Sequence, residues 1–107
     1  MESICRKVTF REAKELMSRL KNWLLLDVRE EEEYITGHAD GAVLFPVDSI
    51  SEQTASELIP DKGTPVFLYC KTGARAELAA ETLAGLGYRQ IYNIGSLSGW
   101  PYGLSFD

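Results

Sequence analysis

Two short segments of the chain, residues 24–26 and 66–69, are apolar at every position. A strand with one face in water alternates apolar and polar side chains, whereas a strand covered on both faces is apolar throughout. Further strand-like segments alternate along the chain with segments that have the period of a helix. This order predicts an α/β fold, a three-layer sandwich in which helices flank a mainly parallel central sheet of five strands.

The individual elements follow from the apolar runs and from the residues that begin or end them. Strands are predicted over residues 7–8, 23–28, 42–45, 65–70 and 90–94. Helices are predicted over residues 13–20, 30–35, 74–86 and a segment that Ser51 caps and that ends at Leu58. Thr9 and Glu12 have the spacing of a capping box before the first helix. The tail, residues 96–107, is predicted as loop or short helix.

Length and composition restrict the class of protein. A chain of 107 residues, 45% of them apolar, predicts one globular domain over residues 1–107. No segment has the length of a transmembrane helix and the N-terminus lacks the pattern of a secretory signal, so we expect a cytoplasmic protein. The net charge of −5 disfavours binding to nucleic acid or to membranes. Two cysteines and one histidine, without zinc-ligand spacing, predict neither a disulfide framework nor a metal or other cofactor.

The fourth predicted strand runs directly into a loop that carries a thiol and two cations. The loop reads Cys70-Lys71-Thr72-Gly73-Ala74-Arg75, and the most regular predicted helix follows it. In parallel sheets, ligands bind beyond the carboxyl ends of the strands, which is where Cys70 lies. The backbone N–H groups of the loop and the positive end of the helix dipole favour a thiolate or another sulfur anion. We therefore predict that Cys70 is a nucleophile in an anion-binding loop.

The loop residues also have purely structural interpretations. A cysteine is often only a small buried side chain, but the position of Cys70 before a glycine turn and beside two cations favours reactivity. Gly73 permits the backbone angles that converging amides need. Lys71 and Arg75 are ordinary surface charges by default. Here we predict that they recruit and orient an anion, with the Arg75 guanidinium binding in a bidentate manner.

Polar residues outside the loop are assigned supporting roles. Asp27 and Arg29 flank the end of the second predicted strand, where they can pair structurally or brace the loop. His38, which lies between two glycines, is predicted to stabilise a turn by hydrogen bonding rather than to act as a general base. The acidic run of residues 30–33 is predicted to be a solvated helix start that complements the dipole. Cys5 has no setting that indicates a function.

Three blocks of this sequence resemble the small, single-domain members of the rhodanese family of sulfurtransferases, in the family's order and spacing, over about residues 8–100. The first block is Asp27-Val28-Arg29-Glu30 with Glu33-Tyr34-Ile35-Thr36-Gly37-His38-Ala39-Asp40-Gly41-Ala42. The second is Tyr69-Cys70-Lys71-Thr72-Gly73-Ala74-Arg75-Ala76 with Ala79, Ala80 and Leu83. The third is Gly87-Tyr88, Tyr92-Asn93-Ile94-Gly95 and Trp100. Two positions depart from the family's pattern: Ala76 replaces a common serine, and Ser96 replaces the second glycine of a pair near the active-site rim.

The resemblance implies a sulfurtransferase that works by double displacement. The Cys70 thiolate would take the outer sulfur of thiosulfate or a similar donor, release sulfite and carry a persulfide. A thiophilic acceptor (cyanide, a thiol or a protein cysteine) would then remove that sulfur, while the amides of residues 71–75 stabilise the anion. An alternative is a sulfur-carrier or interaction module that hands its persulfide to one partner protein. A cysteine phosphatase is disfavoured for two reasons. Such an enzyme has five residues between its cysteine and its arginine, whereas four lie between Cys70 and Arg75 here. It also needs a general acid, and this sequence offers no clear one on an adjacent loop.

Overall fold

The computed structural model describes residues 4–106. Seven strands lie within them: β1 (Cys5–Lys7), β2 (Leu24–Asp27), β3 (His38–Ala39), β4 (Val43–Leu44), β5 (Val66–Cys70), β6 (Ile91–Ser96) and β7 (Leu104–Ser105). The helices are α1 (Phe10–Arg19), α2 (Glu31–Ile35), α3 (Glu52–Leu58) and α4 (Ala74–Gly85), and a 3₁₀ turn covers Val47–Ser49. The predicted caps are present. The Thr9 hydroxyl accepts the N–H of Glu12, and the Ser51 hydroxyl accepts the N–H of Thr54.

Five strands form one sheet in the order β1-β6-β5-β2-β4, and every neighbouring pair is parallel. One face of the sheet packs against α3 and α4, and the other packs against α1. The predicted α/β sandwich with a mainly parallel five-stranded sheet is therefore confirmed. None of the helices within residues 4–106 is both long and apolar enough to cross a membrane.

Strand β5 lies at the centre of the sheet, and its side chains are buried at all five positions. Phe67 and Tyr69 pack on the α1 side, whereas Leu68 and Cys70 pack on the side of α3 and α4. Because both faces are covered, both alternating sets of side chains are apolar, which explains why the sequence of this strand does not alternate.

Two short strands depart from the prediction. β7 lies in the tail that was predicted as loop or short helix, and it pairs antiparallel with β3, with His38 opposite Ser105 and Ala39 opposite Leu104. Each of these strands has two residues, so neither has enough length to produce a periodic pattern in the sequence. The pairing brings the C-terminal tail against the segment that follows α2.

Candidate active site

Cys70 is the last residue of β5 and is completely buried. Its Sγ accepts a hydrogen bond from the backbone N–H of Gly73, with a distance of 2.9 Å between Sγ and N. Gly73 has φ +105°, in the left-handed region that other residues rarely adopt, and it is the N-cap of α4. The glycine thus turns the chain so tightly that an amide of the loop points back at the sulfur.

The N-terminus of α4 adds to this electrostatic environment. The first N–H groups of a helix have no partners within the helix, and their partial charges make that end positive. The helix has 12 residues, and it begins at Ala74, four residues after the thiol. The hydrogen bonds from Arg75 to Glu33 are the main cause of a raised Arg75 pKa, and a charge-based attraction to Cys70 makes a smaller contribution. A backbone donor, a helix N-terminus and a guanidinium therefore lie near the thiol.

Arg75 forms a bidentate ion pair with Glu33 of α2. Its Nη1 donates to Oε1 at 2.7 Å and its Nη2 donates to Oε2 at 2.9 Å. The hydrogen bonds from Arg75 lower the pKa of Glu33 to about 2. Glu33 therefore has a specific partner, whereas the sequence predicts only a solvated helix start. The sequence does not reveal this ion pair because Arg75 lies 42 residues further along the chain. The predicted contact of Arg75 with an anionic donor stays a prediction, since Glu33 engages the guanidinium here.

Lys71, Thr72 and Ala74 are exposed on the outer side of the loop. Lys71 forms no ion pair with any residue in the range 4–106, so its charge faces solvent. It borders a depression of about 320 Å³, whose other walls include Arg29, Leu97, Trp100 and Leu104. The tail thus forms part of the surface beside the loop.

Ser96 fixes the beginning of the loop. Its hydroxyl donates to the carbonyl of Lys71, with 2.6 Å between the oxygens, and accepts the N–H of Ser98 at 3.0 Å. Next to it, the N–H of Leu97 donates to the carbonyl of Cys70 at 2.9 Å. A glycine at position 96 could not make the side-chain bonds. Ser96, which replaces a glycine of the family's pattern, therefore connects the loop to the turn that follows β6.

Asp27 and Arg29 form a buried network with Tyr69. The Arg29 guanidinium donates to both carboxylate oxygens of Asp27 and to the carbonyl of Gly37. The Tyr69 hydroxyl donates to Asp27 at 2.7 Å and accepts the N–H of Ala39 at 3.0 Å. Burial is the main cause of the raised pKa of Tyr69. The network joins β2, β5 and β3 next to the Cys70 loop.

His38 is buried in β3, and it stacks on Tyr34 with the ring centroids 3.6 Å apart. Its Nδ1 lies 2.8 Å from the carbonyl of Tyr34, so the imidazole connects β3 to α2.

Cys5 lies far along the sheet from Cys70, because Cys5 is opposite Ile91 whereas Cys70 is opposite Ser96. Burial raises the pKa of the Cys5 thiol, with a smaller contribution from Glu81. Residues 4–106 contain no group of three or more His, Cys, Asp and Glu side chains that could hold a metal ion.

The sequence matches the family described as "Rhodanese-like domain" over residues 9–101. Among curated proteins, it is 35% identical over 77 residues to thiosulfate sulfurtransferase PspE of Escherichia coli, covering 72% of this chain and 71% of PspE. It is 36% identical over 89 residues to a tRNA uridine(34) hydroxylase of Protochlamydia amoebophila, covering 78% of this chain but 28% of that protein. It is 36% identical over 70 residues to the putative sulfur carrier protein YrkF of Bacillus subtilis, covering 65% of this chain and 36% of YrkF.

The fold is similar to that of several solved structures. A structure described as "rhodanese with anions from E. coli" superposes with a TM-score of 0.72 at 28% sequence identity. The match covers 78% of this chain and 98% of that one. Sequence family and fold therefore agree, whereas the relatives that match have several different names.

Proposed function

Because this chain belongs to the rhodanese family, we propose that it is a thiosulfate sulfurtransferase that forms a persulfide on Cys70. The observation that carries the proposal is the hydrogen bond from the Gly73 N–H to the Cys70 Sγ at 2.9 Å, at the N-terminus of α4. This contact supports a sulfur anion at the end of β5, held by backbone groups. The similarity to PspE supports thiosulfate as the donor.

The reaction has two displacement steps. In the first, the Cys70 thiolate attacks the outer sulfur of thiosulfate, the sulfur–sulfur bond of the donor breaks, and sulfite leaves with the electron pair. In the second, the acceptor (cyanide, a thiol or a protein cysteine) attacks the outer sulfur of the persulfide. The bond between the two sulfurs then breaks, and Cys70 leaves as a thiolate, ready for another cycle.

The loop residues have different roles in this reaction. The amides of residues 71–75 stabilise the outer sulfur while it carries negative charge, which requires no metal or other cofactor. Lys71 attracts the anionic donor, since its charge is exposed and unpaired within residues 4–106. Arg75, held by Glu33, adds a positive potential beside Cys70. A cytoplasmic location, one domain over residues 1–107, and the exclusion of nucleic acid and membrane as partners remain predictions of the composition.

Mass spectrometry tests the first step directly. Incubation with thiosulfate should add one sulfur atom to the wild-type protein, and Cys70→Ala should abolish the adduct because the attacking thiolate is lost. Cys5→Ala is the matched control, since it removes the other thiol and should load like wild type. An unmodified wild-type mass, or an adduct that persists in Cys70→Ala, would overturn the proposal.

A sulfur-carrier function is the second candidate, and the similarity to a putative sulfur carrier protein favours it. In that case Cys70 would load once and discharge to a single partner protein. Steady production of thiocyanate from cyanide at catalytic protein concentration would support the enzyme. Loading without turnover, followed by discharge to one protein in a cell extract, would support the carrier.

A further inference from the structure

A groove runs along the edge of the sheet between β1 and α4. It has a volume of about 410 Å³ beside the Cys70 loop and continues along the helix as a second cavity of about 360 Å³. Three polar residues from three different elements line both cavities: Lys7 of β1, Glu77 of α4 and Asn93 of β6. None of the three takes part in the reaction described above.

Asn93 has a carboxamide that is only partly used. The residue is 7% exposed, and its Oδ1 accepts the N–H of Gly95 at 2.8 Å. Its Nδ2 forms no hydrogen bond within residues 4–106. No buried side-chain nitrogen or oxygen atom within residues 4–106 lacks a hydrogen-bond partner, so this Nδ2 reaches solvent in the groove. It is therefore a donor that an acceptor atom of a ligand can reach.

Lys7 and Glu77 bring opposite charges to the same groove. Both side chains are exposed, and neither is in an ion pair with another residue of the range 4–106. A simple anion would meet the carboxylate of Glu77 as well as the ammonium of Lys7, so repulsion would offset the attraction. A ligand with both charges would satisfy all three groups. Its carboxylate would accept from Lys7 and Asn93, and its ammonium would donate to Glu77.

The groove ends at the reactive loop. Thr72, Gly73 and Ala74 form its wall at that end, and the N–H of Gly73 is the group that donates to the Cys70 Sγ. A ligand whose head group is held by the three polar residues therefore lies in a cavity that the backbone of the Cys70 loop borders. The cavity has room for its side chain to extend along the groove toward that loop.

From this arrangement we infer that the groove binds the head group of a zwitterionic amino-acid thiol, and that this class of thiol is the sulfur acceptor. The proposed binding site depends only on the residues of the groove, whereas the acceptor role also rests on the proposed function. In the transfer, the ligand's thiolate attacks the outer sulfur of the Cys70 persulfide. A new sulfur–sulfur bond forms on the ligand, the bond to Cys70 Sγ breaks, and Cys70 keeps the electron pair as a thiolate.

Binding is tested without any sulfur chemistry by titrating the full chain with L-serine and recording NMR spectra. Serine has the head group of an amino-acid thiol but no sulfur. We expect shifts of the Asn93 side-chain NH₂ and the Gly73 N–H, and smaller shifts with ethanolamine, which lacks the carboxylate. Lys7→Met and Glu77→Gln should each weaken binding by about 10-fold, the effect of one charge-assisted contact. Lys14→Met and Glu57→Gln, which alter exposed charges on α1 and α3, are the matched controls.

The acceptor role is tested with protein whose Cys70 has been loaded by thiosulfate. At equal thiolate concentration, L-cysteine should discharge the persulfide about 10-fold faster than cysteamine or 3-mercaptopropionate, each of which lacks one charge. Glu77→Gln should remove the advantage over 3-mercaptopropionate and leave loading unchanged.

The outcomes separate the two proposals. Serine shifts confined to residues outside the groove, or unchanged binding in both charge variants, would overturn the binding site. Normal loading with equal discharge rates for the three thiols would overturn the acceptor role. Failure of the wild-type protein to load would overturn the proposed function instead, and the serine titration would still decide whether the groove binds a zwitterion.

Discussion

At the residue scale, Gly73 and Ser96 hold the backbone of the Cys70 loop from two sides. Gly73 adopts a positive φ that turns an amide toward the sulfur, and the Ser96 hydroxyl holds the carbonyl of Lys71. Both contacts act on backbone groups, so the identity of the exposed loop side chains matters less for anion stabilisation than the shape of the loop. A substitution that loosens the loop should thus reduce sulfur transfer without removing any charged group.

Ser96→Ala tests this role. The variant loses the hydrogen bond to Lys71, and because such a bond contributes about 1 kcal/mol, kcat/KM for thiosulfate should fall roughly 5-fold. Ser96→Thr keeps a hydroxyl and should recover most of the activity. Ser98→Ala is the matched control, since Ser98 contributes only its N–H to the contact with Ser96. Steady-state kinetics that are equal for Ser96→Ala and wild type would contradict the role.

A second residue-scale prediction concerns the buried ion pair. Asp27→Asn leaves the charge of Arg29 buried without its counter-charge, and breaking such a pair typically costs about 3–5 kcal/mol. We expect that loss in the free energy of unfolding, measured by urea denaturation. Asp48→Asn, on the exposed 3₁₀ turn, is the control.

If Asp27→Asn does not fold, Tyr69→Phe gives a milder version of the same test. It removes one donor to Asp27 and one acceptor for the Ala39 N–H, and should cost about 1–3 kcal/mol. A free energy of unfolding equal to that of wild type in either variant would show that the network does not stabilise the fold.

At the scale of elements, the site depends on how α2 and α4 are joined. α2 has only five residues, too few for a helix that is stable by itself, and its position is set by tertiary contacts. Glu33 binds Arg75 at the beginning of α4, and His38 binds the carbonyl of Tyr34. The first contact links α2 to the Cys70 loop, so the two helices should respond together when this ion pair is broken.

Acid pH should break that contact. The Glu33 pKa of about 2 lies below the ordinary value of 4.5, so the ion pair stabilises the fold above pH 4.5 and the contribution is lost as the pH falls toward 2. Because the side chains of Glu33 and Arg75 are 29% and 32% exposed, we expect only about 1 kcal/mol at neutral pH. Glu33→Gln should lower the free energy of unfolding by that amount at pH 7 and by almost nothing near pH 2.

The matched control for this pH series is Glu32→Gln, which removes an exposed neighbouring charge. Gln at position 33 can still accept the N–H of Glu30, as Glu33 does now, so the helix cap is kept and the comparison isolates the charge. A difference between wild type and Glu33→Gln that is the same at pH 2 and pH 7 would contradict an ionic origin.

At the scale of the whole molecule, the net charge opposes the proposed donor. The chain carries a formal charge of −5, and thiosulfate is an anion, so long-range repulsion reduces the rate of encounter. Lys71 is exposed beside the site and gives a local attraction against this background. Both effects are screened by salt, since the Debye length is only about 8–10 Å near physiological ionic strength.

Lys71→Ala should therefore raise the KM for thiosulfate roughly 3-fold to 10-fold at low salt and reduce the dependence of kcat/KM on ionic strength. Lys21→Ala removes the same charge at the opposite end of the strands, before β2 begins, and is the control for net charge. Identical salt dependence in Lys71→Ala and wild type would exclude a steering role for Lys71.

Much of the fold can be predicted because its main elements have strong local signals. The apolar run of β5 and the caps at Thr9 and Ser51 are each readable within a few residues, and the alternating order of elements implies the parallel sheet. The ends of the strands were less well predicted, and β3 and β7 were missed, because a pair of two-residue strands depends on a partner far away in sequence.

By itself, the sequence determined the class of fold, the place of Cys70 at the end of a buried strand, and the glycine turn after it. These features depend on short-range sterics and on apolar periodicity, which neighbouring residues specify. Only the tertiary structure decided that Glu33 holds Arg75, that Ser96 braces Lys71, and that Lys7, Glu77 and Asn93 share a groove. Those contacts join residues that are distant in sequence, and their geometry exists only after the sheet and helices have packed.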